Sequence, residues 1–344
     1  MEADGSIAVD DEGYETASTS SSYVTSIASE IRNGIEEYGR RWASYGQHFY
    51  GLPIDDQEQE RNDLQHYKFF LLYEGRLHLA PIHSEPQNIL DLGTGSGIWA
   101  IEIADTYPSA RVIGVDIAAV QPTWVPPNCH FEILDVESSW EFRENSFDLI
   151  HAREFLFSIR DWPALINQAY DHLRPGGYLE LAVTVPEVGC DDGTCPPDST
   201  YTEMGKIFFK IAAAMGLDGY TCKSWKQQLL DRGFEDVQEK IFKIPTNTWP
   251  KDKRMKTIGK LEVQNFFDYA QAGFERGAVG LLGMDPSELQ VMLAYTRKEI
   301  LDRRIHTYVK LYGFPSPRAA LNTDSQNSFN VYGRKPEQSN SSSS

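Results

Sequence analysis

The sequence predicts an α/β fold built on a mostly parallel, doubly wound sheet with helices on both faces. Three observations carry this reading. Short apolar runs of strand length alternate with stretches of helical period, a glycine-rich turn follows the first of those runs, and aspartates recur at the ends of several runs. At 344 residues and 41% hydrophobic composition, with 17 Phe, 17 Tyr and 7 Trp, the chain can fill the core of one elaborated domain or two small ones.

Each element follows from its pattern. Residues 1–30 are rich in Ser, Thr, Asp and Glu, and residues 337–344 in Ser, so both ends are expected to be disordered tails. Glu58–Leu79 is periodic and predicts a helix with Leu64, Tyr67, Leu71 and Leu72 on one face. Gln87–Leu92 predicts a buried strand, and Ile98–Thr106 a helix stopped before Pro108. Further strands are expected at Arg111–Ile117, His130–Leu134 and Phe147–Ala152, then a helix from Trp162 to Leu173. Arg174-Pro-Gly-Gly177 ends that helix, and Tyr178–Val185 is a fifth strand. Helices at Glu203–Met215 and Lys223–Arg232 precede a sixth strand, Phe234–Ile244. Two long amphipathic helices, Arg254–Leu282 and Pro286–Arg303, lead to a last strand at Ile305–Tyr312.

Charge and composition narrow the function. The net charge is −18, and the first 30 residues hold seven acidic side chains and no basic ones. An acidic surface repels phosphate backbones, so direct nucleic-acid binding is disfavoured. No apolar run is long enough to span a membrane, and the N-terminus lacks the basic start and apolar stretch of a secretory signal. Cys129, Cys190, Cys195 and Cys222 form neither a disulfide framework nor a CxxC metal pattern. Cys190 and Cys195 have the spacing to pair or to bind metal, but free thiols in a cytoplasmic or nuclear protein is the preferred reading, with no metal expected. The basic run Lys251–Lys256 reads as a solvated helix start in preference to a nuclear signal.

The chemistry is concentrated in Ile89-Leu-Asp-Leu-Gly-Thr-Gly-Ser-Gly97. Glycines between a strand and a helix let the backbone approach a ligand closely. The dinucleotide fingerprint is GxGxxG, and here the third glycine arrives one position early. Asp91, two residues before Gly93, would repel a pyrophosphate. It suits a ligand with an ammonium group, such as the methionine part of S-adenosylmethionine. Asp116 ends the second strand, where a carboxylate accepts both hydroxyls of a ribose. Asp135, at the tip of the third, is placed to hold an adenine amino group. An N-cap or ordinary loop acid is the bland alternative for each.

These segments resemble a known family. Asp91–Gly97, Val115-Asp116, Phe147–Arg153 and Leu173–Glu180 look like successive motifs of class I S-adenosylmethionine-dependent methyltransferases. More narrowly, together with Asp63–His66, Leu77–Pro81, Asp161–Pro163, Asp191–Thr194 and Tyr332–Pro336, they resemble the fungal LaeA-type methyltransferases associated with secondary metabolism. The resemblance implies a Rossmann-like fold with a seven-stranded, mostly parallel sheet and helical additions. It implies a single methyltransferase domain over 31–336, with a lid helix at 58–80, a cofactor half at 87–185 and substrate-side helices at 200–304. Asp91, Gly93, Thr94, Gly95 and Gly97 would cradle the methionine and ribose, and Asp116 with Ile117 would take the ribose. Asp135 and Val136 would take the adenine, His151 and Ala152 would flank the methyl, and Tyr67 would belong to the lid. Two departures stand out. Ala182, Val183 and Thr184 are not acidic where relatives often carry an acid after the fifth strand. Residues 313–330 interrupt the final strand, and read as a loop extruded from the last hairpin or an artefact of how the sequence was read from its gene.

Methyl transfer from a sulfonium is an in-line displacement, and an aliphatic hydroxyl acceptor needs a base within hydrogen-bond reach. His151, Glu187 and His66 are the candidates, with packing or solvated roles as alternatives. Phe155, Phe157, Trp162, Phe208, Phe209, Phe266, Phe267 and Tyr269 fall in segments that cover the strand ends. If several line a pocket, the acceptor is flat and apolar. The leading expectation is methylation of a small molecule. The alternative is a LaeA-type nuclear regulator acting through protein partners, and a nicotinamide-dependent oxidoreductase comes last because of the loop spacing and Asp91.

Overall fold

The computed structural model describes residues 34–46, 50–155, 158–313 and 331–336. The expected tails, residues 314–330 of the insertion, and Phe157 lie outside the described residues. The chain opens with a small antiparallel hairpin, β1 (Ile35–Glu37) and β2 (Arg40–Trp42). Trp42 is buried beneath the Arg276 guanidinium, 4.0 Å from its ring centroid.

The central sheet holds β3 (Asn88–Leu92), β4 (Arg111–Asp116), β5 (Cys129–Ile133), β6 (Phe147–Arg153) and β7 (Leu173–Gly189), all parallel, in the order β5-β4-β3-β6-β7. The chain starts at the middle of this sheet, winds out to β5, then returns to add β6 on the other side of β3. Strand order therefore reverses between β3 and β6, and a crevice opens at their carboxyl ends. The interior strands read as mainly apolar runs because helices cover both faces. Leu90, Leu92, Val112, Val115, Leu149 and Ile150 are all buried.

The sheet closes with two interrupted strands. β10 (Tyr308–Gly313) and β11 (Val331–Arg334) both pair antiparallel with β7. Their β7 partners run on from Gly189 opposite Tyr308, through Val183 opposite Tyr312, to Leu181 opposite Val331 and Tyr178 opposite Arg334. The two pieces are thus one strand split by the insertion, which departs from within the last strand and not from a hairpin turn. Phe234–Ile244, expected as one strand, is likewise split into β8 (Glu235–Gln238), paired with β11, and β9 (Lys240–Pro245), paired with β10. The break falls at Glu239, and within β8 Asp236 takes a left-handed φ of 53° where the pairing with β11 shifts register. Counted by position, the nine segments fill the seven places that the motifs implied.

The helices are α1 (Asp56–Leu72), α2 (Ile98–Thr106), α3 (Trp162–His172), α4 (Thr200–Ala214), α5 (Trp225–Arg232), α6 (Lys253–Phe274) and α7 (Pro286–Ile300). Side-chain N-caps Asp55, Asp161, Ser199, Asp252 and Asp285 fix five of the starts by accepting backbone N–H groups of the first turn. Asp252 shows that the basic run at 251–256 is the start of α6. Two expectations are corrected. α1 ends at Leu72 and not Leu79, because Glu74 and Gly75 turn left-handed and Gly75 N–H bonds the Phe70 carbonyl. α6 does not run on to Leu282, since Glu275–Leu281 widens into a π-helical turn around Gly277 and Gly280.

The buried face of α1 also differs from expectation. It carries Glu58, Arg61, Gln65, His66, Lys68, Phe69 and Leu72, while Tyr67 faces solvent at 50% exposure. Charge is buried there because its partners come from α6. Lys68 Nζ lies 2.6 Å from Glu262 Oε2, and Arg61 is chelated by Glu58 and donates to Asn265 Oδ1 at 2.8 Å.

Candidate functional site

The crevice at the strand reversal is a solvent-open cleft of about 1180 Å³. Its floor is the turn from β3 into α2. Gly93, Gly95 and Gly97 adopt φ of 60°, 55° and 82°, a region that L side chains rarely enter. The three are not equivalent. A Cβ on Gly93 would stand 1.8 Å from Phe155, and one on Gly97 2.4 Å from Phe131, so both are packing requirements. A Cβ on Gly95 would meet only Asn62, at 3.4 Å, and would project into the cleft. Ser96 Oγ donates to Asp63 Oδ1 at 2.6 Å, tying this turn to α1.

Acidic groups line the floor in series. Asp91 is buried, with one carboxylate oxygen 2.7 Å from His151 Nδ1 and the other accepting from Thr94 Oγ1 at 2.7 Å. The His151 ring stacks on Trp99 with centroids 3.8 Å apart, and its buried Nε2 has no hydrogen-bond partner among the described residues. Asp116 accepts from the N–H groups of Gly95 at 2.8 Å and Ala118 at 2.9 Å. Burial between the cleft walls pushes its carboxyl up to about 6, against the pull of those N–H groups. Asp135, Val136 and Glu137 follow at the rim beside Ile117. Arg153 supplies a buried cation, and burial draws its pKa below the usual guanidinium value.

A second cavity of about 1290 Å³ adjoins the first. Tyr50, Leu52, Arg61, Gln65, Glu154 and Ser158 line both, so these residues form the seam. Beyond the seam the walls are largely apolar, from Met204, Phe208 and Met215 on and just after α4 to Phe266, Tyr269 and Phe274 on α6, with Glu262, Asn265 and Arg276 among them. Glu154 stands just past β6 with a left-handed φ of 62°, rare for a side chain of this size. Its N–H bonds the Ala182 carbonyl at 2.8 Å, and its Oε1 accepts from Thr184 N–H at 2.8 Å and Thr184 Oγ1 at 2.9 Å.

The structure brings together Asp91, Gly93, Thr94, Gly95, Asp116, Ile117, Asp135, Val136 and His151 around the first cleft. Gly97 and Ala152 support it from behind and do not line it. Tyr67 does not reach it, because the face of α1 that borders the cleft carries Arg61, Asn62 and Gln65. His66 is committed elsewhere, to Glu102 at 3.0 Å and Arg153 at 3.1 Å, and burial and Arg153 hold it below the usual imidazole range. Glu187 pairs with Lys310 at 3.1 Å, and lines neither cavity, while its neighbours Pro186 and Val188 alternate inward. Of the aromatic set, Phe155 lines the cleft, and Phe208, Phe266 and Tyr269 line the second cavity. Trp162 packs on Trp225 and Phe209 stacks on Tyr220. Sequence reasoning missed Tyr50, Arg61, Gln65, Arg153 and Glu154. Only the last two carried a signal, as residues at the carboxyl end of a parallel strand.

Among the described residues no group of three or more His, Cys, Asp or Glu is arranged to hold a metal ion, and Cys129, Cys190, Cys195 and Cys222 are free thiols. Among the described residues no helix is long and apolar enough to cross a membrane.

Comparison with known proteins bears directly on this cleft. Residues 64–239 match the family model described as a methyltransferase domain. Methyltransferase pytC of Aspergillus terreus is 38% identical over 283 residues, covering 82% of this chain and 87% of that protein. The secondary metabolism regulator LAE1 of Cochliobolus heterostrophus is 35% identical over 283 residues, 80% of this chain and 92% of its own length. The protein-methionine methyltransferase laeA of Emericella nidulans is 33% identical over 298 residues, 85% of this chain and 78% of its own.

Proposed function

This chain belongs to the methyltransferase-domain family, and from that premise we propose that it takes S-adenosylmethionine as its methyl donor and methylates a small, largely apolar molecule held in the second cavity. The observation that carries this reading is the shared seam. A donor lying on the Gly93–Gly97 turn faces the second cavity across Tyr50, Gln65 and Glu154, and the far walls offer flat apolar surface to an acceptor. The donor site fits the residues present. Gly95 leaves space where a side chain would intrude, Asp91 and its neighbours favour a cationic amino-acid moiety, and Asp116 offers a carboxylate to ribose hydroxyls. Asp135 and Val136 would meet the adenine. When bound, the sulfonium supplies an electrophilic methyl. The chain's own residues hold the acceptor in line with it and keep water away, and such positioning is worth about 7–11 kcal/mol of barrier. The four free thiols support a cytoplasmic or nuclear location.

A second reading, a regulator working through protein partners, is favoured by the names of two relatives. The two readings separate in one experiment. Protein and S-adenosylmethionine with a deuterated methyl are incubated with an extract of the source organism, and label is sought by mass spectrometry. Label in the low-mass fraction supports the first, and label confined to protein supports the second.

The Asp116 carboxyl predicts a pH dependence. Its folded pKa is raised above the unfolded value, so its ionisation weighs fully against the native state above about pH 6, and that weight shrinks as pH falls below 6 and is gone below the unfolded carboxylate value. A ribose donates to the ionised form. Affinity for S-adenosylhomocysteine is therefore expected to be full above about pH 6 and to fall toward tenfold per pH unit below it. Asp116→Asn should bind weakly and without that dependence, as calorimetric titrations across pH will show.

A further inference from the structure

We propose that Glu154 selects the acceptor, receiving a hydrogen bond from a hydroxyl or amine on an otherwise apolar molecule and turning away carboxylates and phosphates. This rests on the reading of the second cavity as the acceptor site, and it names the chemistry that site takes.

The argument is one of charge already spent. Arg61 lines the cavity, but its guanidinium is chelated by Glu58 and bonded to Asn265. Arg276 pairs with Glu37 at 2.7 Å and lies over Trp42. Glu262 is neutralised by Lys68 at 2.6 Å and also accepts from Asn265 Nδ2. Each of these side chains has its opposite charge within reach. Glu154 has no ion pair among the described residues, only the two donors of Thr184, and the Arg61 and Arg153 guanidiniums act on it at longer range. Both donors go to Oε1, so Oε2 keeps its hydrogen-bonding capacity at the seam where donor and acceptor meet. A carboxylate with one oxygen open to hydrogen bonding in largely apolar walls favours a hydrogen-bond donor and disfavours an anion. The left-handed backbone at Glu154, pinned by its bond to Ala182, is strain held at a site where it turns the side chain toward the seam.

Thr184 also makes the test directional. In Glu154→Gln, the two Thr184 donors will hold the amide oxygen in the place of Oε1 and leave the NH₂ group facing the acceptor. The polarity of the anchor then inverts. The experiment measures binding of 2-naphthol and 2-naphthoate to protein saturated with S-adenosylhomocysteine, in the wild type and in Glu154→Gln. The wild type should prefer 2-naphthol by about tenfold or more, the scale of one hydrogen bond to a charged group. Glu154→Gln should reverse the order while keeping a cooperative thermal melt, which reports that it folds. The wild-type preference stands as a test even if the variant does not fold. Equal or tighter wild-type binding of 2-naphthoate, no binding of either probe, or an unchanged order in a folded Glu154→Gln would overturn the proposal. Loss of S-adenosylhomocysteine binding by the wild type would instead strike the methyl-transfer reading itself.

Discussion

Gly95→Asp is expected to lower affinity for S-adenosylhomocysteine by at least about 100-fold, or roughly 2.7 kcal/mol, while leaving the unliganded fold nearly intact. Gly95 is left-handed at φ 55°, and its N–H and carbonyl are engaged by Asp116 and Gln121. An aspartate there has room, since its Cβ would meet Asn62 at 3.4 Å. Asp tolerates the left-handed region, at a cost of about 1–2 kcal/mol. Its carboxylate, however, must project into the cleft beside Asp116 and occupy the ligand's space. The control is Gly93→Ala, whose Cβ would fall 1.8 Å from Phe155 and should damage folding itself. Calorimetric titration and circular-dichroism melts of both variants separate the two effects.

Lys68→Met is expected to cost about 3–5 kcal/mol of stability, a large part of the 5–15 kcal/mol or so that holds a typical domain together. Lys68 is fully buried, and its ammonium is the charge partner of Glu262, itself 6% exposed. Without it the Glu262 carboxylate keeps only the Asn265 amide, at 3.3 Å. The double variant Lys68→Met with Glu262→Leu should recover most of the loss, because two apolar side chains leave no orphaned charge. Urea unfolding of the single and double variants measures this. Recovery would show that the pair joins α1 to α6 at no great net gain in stability.

The parallel half of the fold was legible because strands covered on both faces must be mainly apolar, as Ile89–Leu92, interrupted by Asp91, and Val112–Val115 are. The glycine turn and its aspartates were legible because their spacing is local. The buried face of α1 was not. Lys68 and Arg61 find partners 194 and 204 residues away, and periodicity has no access to a pairing that distant. Read by hydropathy alone, Leu64 and Tyr67 took the inward face that charged residues hold. Glu154 escaped for a different reason. The strand-end rule pointed to His151 and Ala152, but the turn that aims residue 154 at the seam depends on a left-handed backbone that its side chain does not advertise. Tyr50 and Leu52 come from a segment with no periodic signal, and only tertiary packing brings them to the cleft.

The central claim is that the cleft above Gly93–Gly97 is the site of the methyl donor. Thermal unfolding with S-adenosylhomocysteine, S-adenosylmethionine and NAD in parallel tests it most directly, because a ligand that binds only the native state raises the melting temperature. The account predicts a rise with both adenosyl ligands, none with NAD, and none with any of the three in Gly95→Asp. A rise with NAD alone, or an adenosyl-ligand shift that survives Gly95→Asp, would contradict it.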